Sequence, residues 1–200
     1  MNFVGQSVTV EKFSFEPETH IYRLGSTRIH GVTEVLRGLG IIDYKWAVER
    51  DLMRGSAVHL ACKFVAENRL DWASVDAGIL GYVEAYRHFL EKEKFIPQIL
   101  EKPMHNNLYL FGSTPDQIGL LYGKDSIVEI KTGAAPKWVG LQTAAQSLCY
   151  APDSWMKVKR FCLELSVDGD YKLIPLTDVN DGSIFLSMLA AYTWMKNNGI

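Results

Sequence analysis

Two hundred residues, 48% hydrophobic and 22% charged, is the composition of a globular chain, long enough to bury about 70% of the surface its unfolded form exposes. A net charge of −2 excludes the global positive field of a non-specific nucleic-acid coat, though not a local basic groove. Seven Pro and sixteen Gly exclude collagen-like or Pro-rich sequence, and no apolar run approaches the roughly 18 residues of a membrane span. The segment from Met1 to Phe13 lacks a basic stretch followed by an apolar one, so no signal peptide and a cytoplasmic location are expected. Cys62, Cys149 and Cys162 are far apart, among apolar neighbours and without a Cys-x-x-Cys pair. They predict buried free thiols rather than a zinc site or a disulfide framework.

In chain order, Phe13 and Phe15 alternate with polar residues and Ile21–Leu24 follows a turn, so the first thirty residues read as short strands. Thr33 opens a short helix to Leu39, ended by Gly40. Lys45 to Asn68 shows helical spacing of Trp46, Val48, Leu52, Met53, Ala57, Leu60, Ala61, Phe64 and Val65, interrupted by Gly55. A second long helix runs from about Ser74 to Lys94. Ile99–His105, Leu108–Leu121 and Ser126–Lys131 read as three consecutive strands, with turns at Asn106–Asn107 and Gly123–Lys124–Asp125. Lys137 to Ala151 reads as a helix with Pro136 near its first turn. Val158–Val167 and Tyr171–Leu176 pair through Asp168–Gly169–Asp170, and a last helix opens at Asp178 or Asn180 and runs to about Asn197. No repeat or linker divides the chain. It reads as one α/β (α+β) domain with a mixed central sheet flanked by helices. Strands and helices occupy 1–95, the sheet core 96–177 and the last helix 178–200.

The chemistry concentrates between residues 112 and 133. Glu129 and Lys131 are two apart on a predicted strand, so both side chains share a face while Val128 and Ile130 point into the core. A hairpin turning at 123–125 would place Asp116 beside Glu129. Two carboxylates can hold Mg²⁺ with a few waters. Such an ion neutralises a phosphodiester and lowers the pKa of water, and a lysine beside it orients or activates that water or stabilises charge on the attacked phosphate.

Gly112-Ser113-Thr114-Pro115-Asp116 followed by Val128-Glu129-Ile130-Lys131-Thr132-Gly133 resembles the PD-(D/E)XK nuclease superfamily, in its RecB-type and phage exonuclease-like branch. Arg54-Gly55-Ser56-Ala57-Val58-His59 resembles the Arg-Gly…His element of that branch, and Trp138 to Ala145 resembles its glutamine helix. Tyr22-Arg23-Leu24 through Val32-Thr33-Glu34-Val35-Leu36 resembles its N-terminal segment, and Leu163 to Phe185 its closing hairpin and helix. The resemblance spans about residues 20 to 195. It implies a restriction-endonuclease-like fold and a Mg²⁺- or Mn²⁺-dependent deoxyribonuclease, an exonuclease of phage-type DNA recombination, repair or processing. Asp116 and Glu129 would ligate metal, with the backbone carbonyl of Ile130, His59 reaching in from its helix, and Glu101 as an outer acidic contact. Lys131 would be the catalytic lysine and Gln142 would sit at the edge of the site. The implied partners are DNA ends and a second copy or a phage recombination protein, in a bacterial or phage-infected cell and away from membranes.

The chain departs from that pattern in one place. Many relatives carry Tyr four residues after the glutamine, where this chain has Gln146; Tyr150 lies four further on, so either Gln142 or Gln146 faces the site. The iron–sulfur subset of the branch uses four cysteines, and three at these spacings predict no cluster. Lys45, Arg50, Arg54 and Lys137 are candidate phosphate contacts, and Trp46, Trp138 and Tyr122 candidate base-stacking rings. A binding module on the same fold that does not cut, and a hydrolase of another phosphate ester, are the alternatives.

Overall fold

The structure, a computed structural model, describes residues 11–43 and 49–200. Lys45, Trp46 and Val48 of the second predicted helix lie outside the described residues. Strands β1 (Phe13–Glu16), β2 (Ile21–Leu24) and β3 (Thr27–Gly31) precede helices α1 (Val32–Gly38), α2 (Glu49–Ala66) and α3 (Ala77–Glu93). Five strands follow: β4 (Ile96–Leu100), β5 (Met104–Asn106), β6 (Phe111–Ser113), β7 (Gln117–Leu121) and β8 (Lys124–Lys131). The chain closes with α4 (Val139–Tyr150), β9 (Lys159–Leu165), β10 (Tyr171–Pro175) and α5 (Asp181–Asn197). Among the described residues no helix is long and apolar enough to cross a membrane.

The α/β class follows the predicted order of elements, but the strands form two mixed sheets rather than one. The first has the order β1-β2-β3-β6-β5 and the second β10-β9-β8-β7-β4. Each of two predicted strands, Ile99–His105 and Leu108–Leu121, breaks into two pieces that go to different sheets. The breaks fall at Lys102–Pro103 and Thr114–Pro115, outside every strand. Proline has no N–H for a ladder and confines the residue before it; at Pro115 this separates the interior strands β6 and β7, and at Pro103 it falls in the passage between the edge strands β4 and β5. Pro97 is tolerated inside β4 because β4 is an edge strand, with a bulge between Pro97 and Ile99. Asn106 makes the predicted turn: its Oδ1 accepts from the N–H groups of Leu108 and Tyr109, at 3.0 and 2.9 Å.

The hairpin β7–β8 sets the register that matters. Its loop is Tyr122–Gly123, one residue earlier than the predicted turn, and both residues have positive φ, 51° and 74°. That is the backbone of a two-residue type I′ turn, whose twist suits a tight hairpin. Gln117 consequently faces Val128, and one step further along the same register Asp116 stands opposite Glu129. A slip of one residue would turn Glu129 and Lys131 to the other face.

Helices α2 and α3 cover one face of the second sheet, where Val58, Cys62, Tyr86 and Phe89 pack on Val128, Ile130 and Leu163. Helix α4 covers the opposite face and is itself enclosed: α1, α5 and the first sheet pack on it through Val35, Leu36, Phe111, Phe185 and Leu189. Ten of its twelve residues are buried. A helix enclosed in this way must find partners for every polar side chain it carries. Arg160 of β9, 8% exposed, locks this arrangement. Its guanidinium donates to the carbonyls of Gly140 and Asp178 and to the Asp181 carboxylate, at 2.7–2.8 Å. The three cysteines are buried free thiols, as their neighbours predicted.

Helix α2 departs from its predicted face. Its buried residues are Val58, Ala61 and Cys62, whereas Leu52, Met53 and Leu60 are exposed. The 58–61–62 stripe, continued by the half-buried Val65, packs into the core shared with α3, and Leu52, Met53 and Leu60 fall off it. Gly55 lies in open space: a Cβ added there meets nothing within 4 Å. Gly55→Ala is therefore expected to stabilise the chain by about 0.5–1 kcal/mol, the difference in helix propensity. A denaturant midpoint that fell instead would show that this part of α2 is crowded.

Candidate active site

The ends of β7 and β8 carry two acids on adjacent strands, and each is held by different elements. Asp116 lies in the bend just before β7. Its Oδ2 accepts from the Ile130 N–H at 2.8 Å, a bond across the hairpin that fixes the carboxylate against β8. Its Oδ1 stands 3.2 Å from Nδ1 of His59, which reaches it from α2. Glu129, on β8, is almost fully enclosed, its side chain 3% exposed. Three N–H donors converge on it: Lys131 Nζ and Gln142 Nε2 on Oε1, at 2.8 and 2.7 Å, and Gln146 Nε2 on Oε2 at 2.9 Å.

The question of which glutamine faces the site has a simple answer, since both do. Positions 142 and 146 are i and i+4 on one helix and share a face. That spacing, visible in the sequence, was the signal for a joint role. Buried on α4, the two amides bind the one carboxylate within reach. Their oxygens, Gln142 Oε1 and Gln146 Oε1, have no hydrogen-bond partner among the described residues. The Lys131 ammonium also stands over the Trp138 ring, 5.2 Å from its centroid.

Charge at this spot is tightly coupled. Burial, together with the charge of Asp116, pushes the Glu129 carboxyl above the usual carboxylate range, with Lys131 working against that. Burial acts in the same sense on Asp116, but the His59 and Lys131 charges and the bonds from His59 and Ile130 outweigh it and hold Asp116 low. Burial pulls the Lys131 amine down, yet Glu129 and Asp116 more than reverse this and keep it protonated. Beside Asp116, and against its own burial, His59 is pushed up to about 9. As found, then, Lys131 is a donor and a positive charge, and cannot accept a proton.

The remaining predicted residues are less central. Glu101 follows β4 in a left-handed conformation, φ 46°. Its backbone N–H donates to the Asp116 carbonyl at 3.0 Å, but its carboxylate is taken by Lys63 Nζ at 3.0 Å. Lys63 lies one turn beyond His59 on the same face of α2 and was not apparent as a neighbour of the site. Arg54 pairs with Asp51 at 2.9 Å and lies over the Tyr82 ring, 5.7 Å from its centroid. Arg50 and Arg54 together line a cavity of about 520 Å³ between α2 and the start of α3. Lys137 is exposed just before α4. Lys45 lies outside the described residues. Tyr122 occupies the turn at the far end of the β7–β8 hairpin, where it donates to Glu93. It is too far along the strands to stack on a substrate at Asp116.

Among the described residues no group of three or more His, Cys, Asp or Glu side chains is arranged to hold a metal ion as it stands. The donor chemistry nonetheless suits a hard divalent cation. Burial raises Glu129 and the charge of the nearby Asp116 carboxylate adds to it, and hard ions take carboxylate and carbonyl oxygens with water completing the shell. Asp116, Glu129 and the Ile130 carbonyl would be the oxygen donors, and His59 would add a nitrogen only on giving up its proton.

No family model matches the chain, and no curated protein matches it. Solved structures with a loose likeness include the following three. The crystal structure of SSO0001 has a TM-score of 0.37 at 12% identity, covering 82% of this chain and 84% of that one. LHK-Exo in complex with dAMP has a TM-score of 0.30 at 18% identity, covering 86% and 93%. The alkaline exonuclease LHK-Exo from Laribacter hongkongensis has a TM-score of 0.29 at 16% identity, covering 84% and 92%. Superpositions this loose carry no information about activity, which must be read from the side chains.

Proposed function

We propose that this protein is a divalent-metal-dependent DNA nuclease that hydrolyses phosphodiester bonds, acting as an exonuclease in phage-type DNA processing. The observation that supports it is the meeting of Asp116, Glu129, Lys131 and His59 at one end of the β7–β8 hairpin, with two glutamines holding Glu129. An inert Glu-x-Lys on an edge strand would be solvated; here the pair is enclosed and opposed by a second acid. Mg²⁺ or Mn²⁺, when bound, supplies positive charge that offsets the phosphodiester and makes a water more acidic.

The chain's own groups do the rest. Asp116 and Glu129 hold the cation, and His59 and the Ile130 N–H keep Asp116 in one orientation. Gln142 and Gln146 hold the Glu129 carboxylate in place without neutralising it. Lys131, kept protonated by its two acids, donates to a phosphate oxygen as negative charge builds there. Arg54, Arg50 and Lys137 meet backbone phosphates further along the strand.

The test is degradation of linear, circular and single-stranded DNA with Mg²⁺, with Mn²⁺ and with EDTA. Loss of linear DNA from its ends with either metal, abolished by EDTA, is the expected result. Binding without degradation would favour the non-cutting module. Cleavage of phosphate monoesters alone would favour the other hydrolase.

A further inference from the structure

Beside the catalytic groups lies an open recess, a slot in which only Lys137 has been given a role above. Trp138 and Leu141 of α4, Ile184 of α5 and Ile41 from the segment after α1 line it together with Lys137 and Asp181, around a volume of about 360 Å³. Its walls are apolar apart from those last two residues. The Asp181 carboxylate is already engaged by Arg160 at 2.8 Å, which leaves Lys137 as the charge that an occupant meets. Trp138 connects the slot to the chemistry, because the Lys131 ammonium stands over the same ring. Trp138 thus borders both the slot and Lys131.

An occupant suited to this place is flat, apolar on its faces and anionic at one end. We propose that the slot takes a nucleobase of the strand being cut, stacked on Trp138, while Lys137 meets the adjoining phosphate. This rests on the nuclease reading and extends it to the substrate class: a base can enter only if it has left its duplex partner. The reacting end is therefore single-stranded or frayed. The aromatic and aliphatic walls meet a base through its face, which every base has, so stacking there does not select among the bases.

The experiment is a coupling measurement between protein and substrate, made in EDTA so that nothing is cut. Affinity is measured for single-stranded oligonucleotides carrying one abasic residue, walked inward from each end, against wild type, Trp138→Ala and Ile184→Glu. At one position the abasic residue should weaken wild-type binding about tenfold, the usual worth of one base on an aromatic ring. Trp138→Ala should weaken binding of the intact strand by a similar factor and show no further loss with the abasic strand. Ile184 is 40% exposed, so the glutamate is tolerated by the fold. It should block the slot and erase the same abasic effect, which keeps the test decisive if Trp138→Ala unfolds. An abasic effect undiminished in the variants, or no binding of any strand by wild type, overturns the slot. Coupling in EDTA without cleavage under either metal overturns the nuclease and leaves the slot standing; cleavage without coupling does the reverse.

Discussion

Lys131→Met and Glu129→Ala should each reduce metal-dependent degradation of linear DNA by roughly 10²- to 10³-fold or more, the scale for losing one preorganised charge or donor at a reacting oxygen. Their effects on the fold should differ. Methionine keeps most of the lysine's apolar stem beside Trp138, and Glu129 retains the Gln142 and Gln146 amides, at 2.7 and 2.9 Å. That variant loses its cationic donor, and Glu129, still held by both amides, sheds the unpaired charge by taking up a proton, so its loss of stability should be the smaller. Removing Glu129 instead strands the two buried glutamine amides and leaves the partly buried Lys131 ammonium without its nearest acid. Breaking a buried pair from one side costs about 3–5 kcal/mol, so Glu129→Ala should also unfold at markedly lower denaturant. Initial rates on end-labelled DNA, with unfolding curves on the same preparations, separate the two losses. Cleavage at the wild-type rate by both variants would remove this site from the mechanism.

Gly81→Ala should be among the most damaging single-methyl changes in the chain. A Cβ built at Gly81, on α3, lies 1.7 Å from the carbonyl oxygen of Val167 and 2.6 Å from its carbon. Both are backbone atoms of the β9–β10 connection and cannot rotate away as a side-chain tip would. Helix α3 must lift, and with it Tyr82, Tyr86 and Phe89 from the core they share with Leu163 and Leu165. Overpacking typically costs about 1–3 kcal/mol, and contact with backbone belongs at or above the top of that range. The same substitution at Gly55 adds the same methyl to open space, so comparing the two midpoints isolates packing from helix propensity. Equal stability of Gly81→Ala and wild type would mean that the α3–hairpin contact is not as close as described.

The parts of the site that were legible in the sequence are those written by short-range rules. Alternation along 128–131 placed Glu129 and Lys131 on one face and buried Val128 and Ile130 on the other, at 0% and 1% exposure. A turn near Gly123 implied the hairpin that sets Asp116 opposite Glu129. The family resemblance pointed to His59, and the structure brings its ring to Asp116 across more than fifty residues of chain. Gln142 and Gln146 looked like competing registers because the family's spacing of a glutamine with Tyr four residues on fits Gln146 and Tyr150 rather than Gln142. A carboxylate has two oxygens and room for several donors, and an enclosed helix has nowhere else to send its amides.

What the chain's local order could not reveal is where each segment docks. Met104–Asn106 and Phe111–Ser113 look like continuations of their neighbours, yet they cross to the first sheet, because Pro103 and Pro115 break the ladder at points where the partner strand changes. Periodicity marks α2 as apolar without saying which side meets α3, so Leu52, Met53 and Leu60 emerge exposed. Strand alternation, turn geometry and helix spacing depend on residues a few positions apart and can be read directly from sequence. Sheet membership, the face a helix buries, and the enclosure that turns an ordinary Glu-x-Lys into a coupled charge cluster arise from packing between distant segments, and only the assembled fold decides them.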